Sequence, residues 1–270
     1  MPFRALNERH AIHEVVFVVT FQKAFESGQV GAVMAAHEGW RELLPNMNPL
    51  MLQALAIGPK ANPVLRDQGI RGVSFERLKQ DGSLQWRLLL QENFTAVNCL
   101  SYTRWVDIWP EARRLLDATA TLLVKAQQPV VGVALQYIDD FIWDGPQEEY
   151  SIDQLIRQNS TYVPNSVRGK GPLWHLHQGW FDEAKFPHDG RLLERTHVDS
   201  TRQDKTGTIQ TRIDMTLRLD FREPIQSRDA LFGGERPKVE EIFSRLHTLN
   251  KDTLRAYITD EMAEKIELNG

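Results

Sequence analysis

The sequence predicts an α+β protein in which antiparallel meanders are each covered by an amphipathic helix, as two similar lobes or one continuous sheet. Three observations carry this expectation. Ile209, Ile213, Met215, Leu217, Leu219 and Phe221 alternate with Gln210, Arg212, Asp214, Thr216, Arg218 and Asp220, the pattern of a half-buried strand. Asp81-Gly82 sits between two alternating runs, which signals a hairpin. Two apolar stripes at helical spacing, Ala112 to Ala126 and Val239 to Met262, each follow such a meander.

Val15 to Phe21 is short, β-branched and aromatic, and reads as a central strand buried on both faces. Met34 to Leu44 fits a helix or a loop, and Pro45, Asn46, Asn48 and Pro49 interrupt whatever forms next. Gly72 to Leu78, then Leu84 to Leu90, then Thr95 to Thr103 form a three-stranded meander, with turns at Gln80–Ser83 and Glu92–Asn93. Trp109-Pro110-Glu111 places proline in the first turn of the covering helix, and Pro129 ends it before a return strand from Val130 to Ile138. Residues 139–171 turn acidic, then polar with Gly and Pro. Ser151 and Gln154 there have capping-box spacing. Strands follow near Leu173–Trp180, Leu192–Arg202 and Thr208–Phe221, then the Val239–Met262 helix, with Thr259 as the cap of a last short helix. The expected organisation is an N-terminal lobe at 1–145, a linker or ordered excursion at 146–172 and a C-terminal lobe at 173–270.

Composition narrows the function classes. With 41% apolar and 25% charged residues the chain is ordinary globular protein. A net charge of −4 without a basic run does not imply nucleic-acid binding. A local exception is Arg66, Arg71, Arg77, Lys79 and Arg87 interleaved with Phe75 and Trp86, charge plus stacking that would suit a single strand. Cys99 is the only cysteine, so no intramolecular disulfide and no Cys-rich zinc site is expected. No window approaches the roughly 18 apolar residues of a membrane span, and the first residues lack a secretory h-region, so the expected location is cytoplasmic.

The sharpest chemical signal is Trp174-His175-Leu176-His177. On a strand the two imidazoles share a face, and His197 on the next strand offers a third ligand for a divalent ion, with Asp199 and His188 nearby. That set defines one reading, a metal-dependent hydrolase or nuclease. Asp139, Asp140 and Asp144 beside Glu148 and Glu149 form an acidic cluster suited to magnesium or to acid and base work, or to a solvated loop. No cofactor fingerprint is complete, and His197 with Asp199-Ser200 lacks the GxSxG context of a serine triad.

Three segments carry a resemblance: Glu14-Val15-Val16-Phe17-Val18-Val19-Thr20-Phe21, Leu135-Gln136-Tyr137-Ile138-Asp139-Asp140-Phe141-Ile142, and Leu246-His247-Thr248-Leu249-Asn250 followed by Tyr257-Ile258-Thr259-Asp260-Glu261. In these the chain resembles a sporadically distributed, uncharacterised prokaryotic protein family of similar length. It departs from the family pattern at Gln136, where arginine is usual, and at Asp139, where asparagine is usual. Patchy occurrence implies a mobile or defence-associated gene and a protein partner encoded nearby. The first functional expectation is accordingly a non-enzymatic protein-binding or regulatory protein, in a prokaryotic defence or toxin-control module.

Overall fold

The computed structural model describes residues 2–56, 64–203 and 206–268, with side chains described outside 52–69. Ten strands form one antiparallel sheet, and five α-helices accompany them among the described residues. The strands are β1 (Phe3–Ala5), β2 (Ile12–Phe21), β3 (Asn46–Ala56), β4 (Val64–Leu78), β5 (Leu84–Gln91), β6 (Phe94–Cys99), β7 (Val130–Trp143), β8 (Trp174–Asp182), β9 (Gly190–Arg202) and β10 (Ile209–Ile225). The helices are α1 (Ser27–Ala35), α2 (Trp105–Lys125), α3 (Arg228–Phe232), α4 (Lys238–Tyr257) and α5 (Asp260–Lys265). Strand order is β3-β4-β5-β6-β2-β7-β10-β9-β8, with β1 also pairing β7. The Val15–Phe21 run therefore lies centrally, as its unbroken apolar character requires.

Contacts divide the chain into two compact units that do not follow sequence order. One comprises Met1–Val15, Ala134–Leu219 and Val239–Gly270, the other Val16–Val133 and Asp220–Lys238. Sequence order had suggested boundaries at 145 and 173. The division instead cuts through β2, β7 and β10, each long enough to contribute a half to either unit.

In the second unit the β4-β5-β6 meander forms as the sequence reads. Trp86 pairs Arg77, and Leu88 stands between Phe75 and Val97. Gly82 takes φ +81 in the first turn, where Asp81 accepts hydrogen bonds from the Ser83 amide and hydroxyl at 2.9 and 2.6 Å. Those bonds favour the ionised carboxylate and lower its pKa. α2 buries Ile108, Trp109, Ala112, Leu115, Leu116, Thr119, Ala120 and Leu123, and Phe17 of β2 meets Trp105 and Trp109 at 5.7 and 5.5 Å between ring centroids. The helix begins at Trp105, earlier than expected, so Pro110 lies inside it. The apolar stripe holds that extra turn on the core, because stacked Trp105 and Trp109 are one helical turn apart.

The segment read as broken by Pro45 and Pro49 contains β3, antiparallel to β4, with Pro49 opposite Val73. Proline lacks a ladder donor and is tolerated at the sheet edge, which is where β3 lies. Of the expected helix or loop at Met34–Leu44, only the start is helical: α1 ends at Ala35. A 3-10 turn follows at His37–Gly39, and His37 is buried with its Nε2 2.7 Å from the Leu44 carbonyl.

In the first unit α4 and α5 lie on β7, β9 and β10. Leu254, Tyr257, Ile258, Met262 and Ala263 share an apolar cluster with Phe141, Val198, Ile213 and Met215. Each such side chain removed from water stabilises the fold by about 1.5–3 kcal/mol. The alternation foreseen for β10 is observed, with Ile209, Thr211, Ile213, Met215, Leu217 and Leu219 buried. The last helix breaks at Ile258, and Thr259 caps α5 by accepting from the Met262 amide at 3.4 Å. Residues 146–172 form successive 3-10 turns that bury Ile152, Leu155, Ile156 and Val163 in the same cluster. Ser151 precedes one of these turns but makes no side-chain cap. No helix among the described residues is long and apolar enough to cross a membrane.

Candidate functional site

The first unit presents a sheet with one face covered by α4 and α5 and the other face polar. Strand geometry decides which residues go where, because alternate side chains point to opposite faces. On β8 the odd positions His175, His177, Gly179 and Phe181 are exposed, while Trp174, Leu176, Gln178 and Trp180 are half-buried. The β8/β9 register sets His177 opposite His197 and His175 opposite Asp199. The three imidazoles expected to act together are thus neighbours, with ring centroids 5.6 Å apart for His177 and His197 and 6.5 Å for His175 and His197. Among the described residues, no group of three His, Cys, Asp or Glu side chains is arranged to hold a metal ion.

The polar face continues across β10 and β7. Gln136 donates to Asp214 at 2.7 Å, and Arg195 donates to Thr216 at 3.0 Å. Asp140 has a 2% exposed side chain and receives a bidentate pair from Arg212, both contacts 2.8 Å, with His13 at 3.3 Å. Asp140 holds the Arg212 guanidinium above its ordinary pKa, against the opposing effect of burial and with help from Asp214 and Asp199. A planar fork matched to a carboxylate is the strongest form of such a pair.

Asp139, the next residue back along β7, must point the other way. It enters the covered face, 1% exposed, and neither carboxyl oxygen has a hydrogen-bond partner. Burial without a partner disfavours the charged form, and Asp140 alongside adds repulsion, so the Asp139 pKa is pushed up to about 8. That shift favours the protonated acid at neutral pH. The acidic cluster expected here therefore separates into a paired carboxylate on one face and a protonated one on the other. Asp144 stands apart in a 2.7 Å ion pair with Arg4.

A polar contact on the covered face joins β7 to α4. Tyr137, two residues before Asp139 on the same face, places its hydroxyl 2.8 Å from His247 Nδ1. Burial and nearby Lys251 lower the His247 pKa to about 4, which favours the neutral ring, whose tautomer sets which of the two groups donates. β7 and α4 advance together: Tyr137 meets His247, and Phe141 and Leu254 share the next apolar cluster. Asn250 on α4 is buried, and its Nδ2, like the Asp139 carboxyl, has no hydrogen-bond partner. Two of the three motifs behind the family resemblance, more than a hundred residues apart in sequence, thus meet through the Tyr137–His247 contact.

A second polar contact secures the β8 side. Tyr257 of α4 receives a hydrogen bond from Gln178 and stacks on Tyr162 at 4.9 Å, and Tyr162 in turn stacks on Trp180 at 5.7 Å. Burial raises the Tyr257 pKa, keeping the hydroxyl neutral. Elsewhere, the aromatic pair that would have stacked on a single strand is unavailable for it: Phe75 and Trp86 are 0% and 7% exposed. Arg77 and Arg87 are engaged with the Glu42 carbonyl and Asn98, and Arg66 lies outside the described side chains.

Sequence spacing located the imidazoles but missed the Tyr137–His247 contact and the buried Asp139 and Asn250, which come from segments far apart. The one local signal was polar residues, Asp139 and Asn250, at positions whose periodicity assigns them to a covered face. Comparison with family models and with curated proteins finds no match for the chain.

Proposed function

We propose that the protein is non-catalytic and regulatory, and that it acts by binding another protein chain along the free edge of β8. The observation that carries this reading is the contrast between the two edges of the sheet. β3 has Pro49 within it and register shifts at Leu50/Met51 and Met51/Gln53, the devices by which edges avoid pairing. β8 has neither. Its nine residues pair with β9 in unbroken register, it contains no proline, lysine or arginine, and its one acidic residue, Asp182, is at the end. Phe181 is 53% exposed on the strand, and Leu173, just before it, is 61% exposed. A long, flat edge with apolar side chains is a template for strand addition.

The resemblance supplies a setting, a prokaryotic defence or toxin-control module in which the product of an adjacent gene is the first partner to try. Amide hydrogen exchange tests the reading: a bound chain slows exchange across Trp174–Asp182 and leaves β3 unchanged. A stable complex that forms with β8 exchange unaltered, or a measured turnover by the protein alone, would sink it.

A further inference from the structure

Resting on that docking reading, we propose that the chain taken up by the β8 edge is a second copy of this one, paired antiparallel across a two-fold axis at Gln178. A two-fold axis normal to the sheet keeps each face on its own side. Opposed residues must then share a face, so the axis passes through a residue and not between two. Centring on Gln178, the middle of the nine-residue strand, brings all nine positions into register.

That register is complementary on both faces. On the covered face Leu176 of each copy meets Trp180 of the other, and the two Gln178 side chains flank the axis. These are the half-buried positions of β8, apolar surface that an added strand would cover. On the polar face His175 meets Phe181 of the second copy, and His177 meets Gly179, a large group against the smallest. Aromatic and aliphatic pairs opposed in this way stabilise a sheet, whereas like charges directly opposite destabilise it. Self-pairing of β8 opposes no like charges, since its only Asp, Asp182, meets Trp174. A strand bearing lysine or several acids would fail that condition against its own copy.

The register makes the proposal testable by charge placement at two exposed positions, 175 and 181. Light scattering after size exclusion of the full chain should give close to twice 31.1 kDa. The double substitution His175→Lys with Phe181→Lys opposes lysines twice across the axis and should raise the dimer dissociation constant by about tenfold or more. His175→Lys with Phe181→Glu opposes lysine to glutamate twice and should restore the dimer, with circular dichroism unchanged in both. Dimers that respond equally to the two double substitutions, or to neither, overturn the pairing. A monomeric wild-type chain also overturns it, and does so without touching docking of another protein at β8, which stands or falls on the exchange experiment above.

Discussion

Asp139→Asn isolates the cost of a carboxyl group held in the core. In the folded chain burial pushes the Asp139 pKa up to about 8 from its ordinary 3.8. Between those values the folded state keeps a proton that the unfolded state has lost, so stability falls as pH rises, at about 1.4 kcal/mol per pH unit. At pH 7 the accumulated loss is about 4 kcal/mol, and above pH 8 it levels off. His247 acts in the opposite sense. Its folded value of about 4 lies below its ordinary 6.5, so it contributes stability that is lost as pH falls through that interval. Wild-type stability should therefore be nearly level from pH 4 to 6.5, where the two slopes cancel, and should decline from 6.5 to 8. Asparagine has the shape of the neutral acid and does not titrate. The variant should gain stability at pH 7, by at most about 4 kcal/mol, and show no decline between pH 6.5 and 8. Urea denaturation at half-unit pH steps measures both curves. Parallel curves for wild type and variant across pH 6.5–8 would refute the assignment of a protonated Asp139.

Arg212→Ala should destabilise the fold by about 3 kcal/mol, the lower end for breaking a buried pair because Arg212 half faces water while Asp140 does not; thermal unfolding checks it. Tyr137→Phe removes the hydroxyl partner of His247 Nδ1 and should cost about 1–2 kcal/mol in urea denaturation, with no change in far-ultraviolet circular dichroism. For the hydrolase reading, His175, His177 and His197 give a direct test by metal analysis of purified protein. On the docking reading, substoichiometric metal and a melting temperature unmoved by a chelator are expected. Stoichiometric zinc or manganese lost on His177→Ala would favour the hydrolase instead.

The elements that declared themselves in the sequence were those whose period was uninterrupted. The β10 alternation and the Val239 stripe each have one buried face, and that requirement writes itself into residue order. β3 was hidden because Pro49 forbids an interior strand but not an edge strand, and edge position is a tertiary fact. Pro110 misled in the same manner: it marked a helix start, yet packing of Trp105 and Ile108 extends α2 past it. For the candidate site, spacing two apart on β8 was enough to set His175 and His177 on one face. Their meeting with His197 depended on hairpin register, which a Phe186–Gly190 turn fixes and composition does not. The Tyr137–His247 contact needed β7 and α4 brought together, and no local pattern encodes that approach.

The Asp139-Asp140 dipeptide also bears on how β7 finds its place. Were the strand to slide by one residue, the two carboxyl groups would exchange sides: Asp140 would enter the interior and Asp139 would surface, meeting Arg212 in one direction of the slide and missing it in the other. Two acids in a row thus keep one carboxyl group on the covered face in either register, so the alignment of β7 between β2 and β10 rests on its apolar residues and not on the acids.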